Sequence, residues 1–140
     1  MGAIYLQDAV CLLPARPELD ENMLYIATSI EEMGGSCHLF QAQSSLPGGD
    51  GQLVQDFQKL ADGRLSEILE RLELLQASLH GSVDQTLLER AEEDLKRERI
   101  AYLRVRALAY FGSNQHTEVD ARLHQLKSSL DELYKNWGNP

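Results

Sequence analysis

Residues 2–14, GAIYLQDAVCLLP, decide the fold class, because they put sheet at the start of a chain whose remainder is patterned for helix. Ala3–Leu6 and Val10–Leu13 are short apolar, partly β-branched runs, and Gln7-Asp8 is a polar break between them. That pattern predicts two strands joined by a tight turn. Residues 14–35, PARPELDENMLYIATSIEEMGG, then predict a helix. Pro17 suits a first helical position, and Glu18, Asp20 and Glu21 complement the positive end of the dipole. Leu19, Met23, Ile26, Ile30 and Met33 recur at spacings of three and four, forming one apolar stripe. Gly34-Gly35 supplies a left-handed stop. Residues 36–43, SCHLFQAQ, alternate and predict a third strand over Cys37–Ala42, whereas residues 44–51, SSLPGGDG, read as a flexible loop.

Everything beyond is helical in period. Between Gln52 and Leu79 the stripe Val54, Phe57, Ala61, Leu65, Ile68, Leu72, Leu75, Leu79 approaches a heptad seam, interrupted only by Gly63. HGSVD (80–84) makes a turn with Ser82 or Asp84 as the next N-cap. Leu88, Ala91, Leu95, Tyr102 and Ala109 mark one face of a further helix that stops at Gly112. After the SNQHT break, Val119, Leu123, Leu126, Leu130, Leu133 and Trp137 mark a last one. Short connections between long helices imply antiparallel packing. The expectation is an α+β chain: a small sheet with one covering helix over residues 1–45, and a helical hairpin or three-helix extension over residues 46–140, together one globular unit.

Composition narrows the function. A hydrophobic share of 43% with 25% charged residues is that of an ordinary folded domain, so general disorder is excluded. The net charge of −9 disfavours nucleic acid as a partner of the whole surface, since phosphate binding needs clustered cations. No apolar run reaches the roughly 20 residues needed to span a bilayer, and the first residues lack the basic and apolar regions of a secretory signal. Cys11 and Cys37 both sit in apolar, strand-like contexts, which predicts buried, reduced thiols in a cytoplasmic protein.

At these residues the chain resembles a known family, the N-terminal domain of the chromate-resistance regulator ChrB. The resemblance is carried by GAIYLQDAVCLLP, by the helix ending in EEMGG with the strand after it, and by LLERAEEDLKRERIAYLRVRALAYFGSNQ (87–115). It implies a ferredoxin-like βαββαβ layout, of which this chain would retain the second and third strands, the second helix and the fourth strand. In the family a strand and a basic helix precede the Gly-Ala strand, and a chromate-resistance domain follows; neither stands in this sequence. The implied vacancy lies between Val10–Leu13 and Cys37–Ala42. It could be filled by direct parallel pairing, left open, or completed by a second chain in a homodimer. The resemblance further implies transcriptional control of chromate efflux, with DNA contacted only through the missing N-terminal segment, and chromate as a candidate oxyanion ligand.

The residues that could carry chemistry are few. Lys96, Arg97, Arg99, Arg104 and Arg106, with Arg90, are the main basic concentration and the candidates for DNA or ion-pair contacts. Arg90, Arg97 and Arg104 share one helix face by their seven-residue spacing, and Arg99 and Arg106 share another. Glu92, Glu93, Asp94 and Glu98 are interleaved with them, and Glu92–Lys96 and Glu93–Arg97 are favourable i,i+4 pairs, so a solvated, self-neutralised helix is expected. Glu98 falls on the face of Leu95 and Tyr102 and needs a cation; Arg64, Arg71 or an arginine of the last helix can supply it, and Glu98–Arg64 is a candidate structural ion pair. Cys37 and His38 are adjacent, so in a strand they point to opposite faces and cannot readily share a metal. His80, His116 and His124 show no ligand spacing, and Arg16, just before Pro17, is a lone cation at a helix N-terminus. No phosphate loop, nucleophile elbow or acid–base pair is present, so no catalytic residue, cofactor or metal is assigned and no enzyme is expected. The alternative to a regulatory domain is a non-enzymatic helical dimerisation or protein-interaction module without DNA binding of its own. A small oxyanion-binding or reductase domain is a third reading.

Overall fold

The computed structural model describes residues 2–7 and 9–138, with the side chain of Gln7 left aside. The element order is β1 (Ile4–Gln7), β2 (Val10–Leu12), α1 (Pro17–Glu32), α2 (Gly49–Ser78), α3 (Gln85–Leu108) and α4 (His116–Gly138). The fold is α+β, a small antiparallel sheet followed by a helical extension. The chain divides into two compact units, Met1–Phe57 and Gln58–Pro140, with the division falling inside α2.

In the first unit β1 and β2 pair antiparallel, Ile4 opposite Leu12 and Tyr5 opposite Cys11. The register slips between Tyr5 and Gln7, where β1 spends one more residue than β2, as in a β-bulge. Asp8, half of the predicted polar break, lies outside the described residues. The pleat puts Ile4 and Leu12 on the half-buried face and leaves Tyr5 and Cys11 exposed. α1 begins with Pro17 at its first position, and its stripe runs inward from buried Leu19 through half-buried Met23, Ile26 and Ile30. Gly34 closes it at φ +84°, with the Gly35 amide donating to the Ile30 carbonyl and the Gly34 amide to that of Glu31. This is the paired bond pattern of a Schellman cap. A side chain at Gly35 would press within 2.8 Å of the Ile30 methyl, so both glycines are needed.

Two expectations for this unit fail. Residues 36–43 form no strand, and among the described residues the sheet has only β1 and β2. Of the outcomes open for the implied vacancy, direct pairing of Val10–Leu13 with Cys37–Ala42 is not the one seen. The rings of His38 and Phe40 stand 6.4 Å apart, tilted at 43°. Yet Phe40 is 87% exposed, and a strand is held by neighbours and burial rather than by its own pattern. The thiols are not buried either: Cys11 is exposed and Cys37 half-buried, both free.

The second unit is a three-helix bundle. Leu65, Ile68, Leu72, Leu88, Val119, Leu126 and Leu130 are each at most 1% exposed and pack with Tyr102 into one core. Each buried aliphatic side chain contributes about 1.5–3 kcal/mol through the water it sheds. Polar contacts fix the register. The Gln58 amide donates to the Phe111 carbonyl at 3.1 Å, Ser113 bonds Asp62, and the Ser66 hydroxyl reaches Gln115 at 3.0 Å. Further along, Arg71 meets Glu98, and Arg122 donates to Gln76 at 3.1 Å. Helix α2 therefore runs antiparallel to α3 and parallel to α4. Asp84 caps α3 by accepting from the Leu87 amide at 2.7 Å, which selects it over Ser82. The last residue of the α4 stripe departs from expectation: Trp137 is 52% exposed, one turn beyond the half-buried Leu133 and Tyr134.

Candidate functional site

Helix α3 carries six cations, and the bundle sorts them onto two faces. Arg90, Arg97 and Arg104 are exposed on one side; Arg97 bonds Asp94 at 3.1 Å, while Arg90 and Arg104 hold no ion pair among the described residues. The pairing expected for Arg97 with Glu93 is thus made with Asp94, an i,i+3 neighbour on the same face. Lys96, Arg99 and Arg106 lie on the other side, beside α4, and Lys96 bonds Glu92 at 3.2 Å as its spacing predicts.

Between α3 and α4 runs a groove of about 310 Å³. Its floor is apolar, made by Leu95, Tyr102 and Leu123, with Leu103 at 51% exposure forming its lip. The rim holds four permanent cations, Lys96, Arg99, Arg106 and Lys127, against two carboxylates, Glu92 and Asp120. Both carboxylates are engaged. Glu92 accepts from Lys96 and from the Tyr134 hydroxyl at 3.3 Å, and the Lys96 hydrogen bond holds its carboxyl below the usual range. The Tyr102 hydroxyl donates to the His116 carbonyl at 3.4 Å, and burial, then the nearby Asp120 carboxylate, pushes the Tyr102 phenol above its ordinary value. Lys127 is raised by its own hydrogen bond to Asp131, at 2.9 Å. The Nδ1 of His124 lies 2.8 Å from the Asp120 carbonyl, which can only accept, so Nδ1 is the donor in this contact. Arg99 holds no ion pair among the described residues.

Glu98 finds its cation on α2. The partner is Arg71, whose Nε donates to Glu98 Oε1 at 2.9 Å, and not Arg64. In the antiparallel register Arg64 lies two turns earlier on α2, about 10 Å along the axis and out of reach. The other Glu98 oxygen is buried without a partner. The remaining candidates stand apart. Arg16 is the N-cap residue of α1, His80 is in the turn after α2, and His116 opens α4 with its ring edge against Tyr102 at 5.9 Å between centroids. Among the described residues no three His, Cys, Asp or Glu side chains gather as a metal set would, and no helix is long and apolar enough to cross a membrane.

Sequence reasoning found the cations but not the groove. The shared face of Arg99 and Arg106 was legible from their spacing, and so was the matching row Asp120, Leu123, His124, Lys127 on α4. Which levels of the two helices face each other depends on the packed bundle.

No curated protein and no solved structure matches the chain. The family described as "Protein ChrB, N-terminal" matches residues 1–136, nearly the whole length. It spans the hairpin, the capped helix and the bundle that holds the groove. The chain belongs to the ChrB N-terminal domain family.

Proposed function

We propose that this chain is a regulatory domain in the transcriptional control of chromate resistance, working in the bacterial cytoplasm by binding and assembly rather than by catalysis. Membership of the ChrB N-terminal family carries this reading. The cationic outer face of α3 is consistent with it, since Arg90 and Arg104 have no carboxylate to neutralise them among the described residues and remain available to phosphates. With 22 acidic residues against 13 basic ones, the rest of the surface opposes DNA, so affinity for duplex from this chain alone is weak and strongly salt-dependent. The test is occupancy in cells: immunoprecipitation of the tagged protein should enrich the promoter of the chromate-resistance operon over its coding sequence, and chromate should change that enrichment. Equal recovery of both DNAs, with and without chromate, would remove the regulatory reading.

A second reading, an interaction or homodimerisation module, is favoured by the first unit. Tyr5 on β1, Tyr25 on α1 and Phe40 in the segment after it are each more than 75% exposed there, and exposed apolar rings beside a short open sheet seek cover. Light scattering across a concentration series separates the two readings. A mass of twice 15.7 kDa that persists on dilution supports the module, and a monomer throughout counts against it.

A further inference from the structure

We infer that the α3–α4 groove binds a small amphipathic anion, an apolar or aromatic body bearing one carboxylate or sulfonate. Its volume of about 310 Å³ is at the lower end of the range that holds small molecules and is too little for a helix or a nucleic-acid strand. The floor of Leu95, Tyr102 and Leu123 offers apolar contact, and the Tyr102 hydroxyl already donates to the His116 carbonyl, so an apolar body need not satisfy it. The charge is specific to this place: on a chain of net −9, the rim has a local excess of two positive charges. Those charges are not equivalent. Lys96 and Lys127 are committed to Glu92 and Asp131. Arg99 and Arg106, neither in an ion pair among the described residues, are left as the anchors for an incoming carboxylate, in the bidentate geometry a guanidinium prefers. Leu103, half-exposed at the lip, gives the apolar body its outer contact.

An inorganic dianion such as chromate has the charge but no apolar body, so the groove does not select it. The inference is therefore separate from the regulatory reading and can fail or hold without it.

The test uses the intact chain and 1-anilinonaphthalene-8-sulfonate as the probe, with uncharged N-phenyl-1-naphthylamine as its control. The sulfonate should bind at one saturable site with micromolar affinity, at least tenfold tighter than the neutral dye, and sodium chromate should not displace it. Arg99→Glu with Arg106→Glu should weaken binding by tenfold or more while the far-UV circular dichroism is unchanged. Leu103→Asp, at an exposed position that tolerates it, should do the same without touching an arginine. Tyr25→Ser with Phe40→Ser, which removes exposed rings of the first unit, should leave the affinity as it was. Equal affinity for the two dyes, or loss of binding in the Tyr25–Phe40 variant but not in the groove variants, would overturn the assignment.

Discussion

Glu98 shows most clearly what single residues do here. A carboxylate on the packing face of α3, with its side chain only 12% exposed, is met by Arg71, which crosses from α2 to donate to it at 2.9 Å. Removing the cation alone leaves a largely desolvated anion, so Arg71→Ala should cost about 1–3 kcal/mol in urea unfolding. Replacing both by leucine should come closer to neutral, because the apolar pair avoids that desolvation. A larger loss in the double variant would show that the pair stabilises beyond its own compensation. Tyr102 sets a second expectation. Burial raises its phenol, and Lys127 is raised by Asp131, so both hold their protons more tightly folded than unfolded. Stability from such groups is complete below the unfolded values of about 10 and is lost as the pH climbs through the folded ones. Denaturation midpoints should therefore fall above pH 10, and Tyr102→Phe should reduce that slope; an unchanged slope would remove Tyr102 as a source.

At the scale of elements, the helices were legible and the third strand was not, for one reason. An amphipathic helix satisfies its own backbone, so its stripe is nearly sufficient: Leu65, Ile68, Leu72 and Leu75 read as a seam and are a seam. A strand needs a neighbour, and Cys37–Ala42 has alternation but no ladder to join. The same dependence on neighbours explains the choice of Arg71 over Arg64 and the exposure of Trp137, since the level at which helices meet is a property of the bundle. The one break in the α2 seam gives a clean prediction. Gly63 is exposed in mid-helix, and a Cβ there would meet nothing within 4 Å. Gly63→Ala should stabilise by about 1 kcal/mol and raise the Tm by roughly 4 °C. No gain by calorimetry would mean that α2 is not continuous through residue 63 in solution.

For the whole molecule, the two units divide the chemistry. The first presents exposed apolar side chains on a two-stranded sheet; the second presents a sealed core, a cationic outer helix face and a groove with a mostly cationic rim. Hairpin, capped helix and bundle could all be read from residue patterns, and so could the family. The groove could not, because it exists only where two helices meet. On the proposed regulatory reading, these features serve a domain that senses and binds. The most direct measurement of that claim is a reporter driven by the chromate-resistance promoter, in cells with and without the gene for this protein. The account predicts chromate-dependent expression that is lost without the gene and blunted by Arg90→Gln with Arg104→Gln; a reporter that responds to chromate equally in both strains would contradict it.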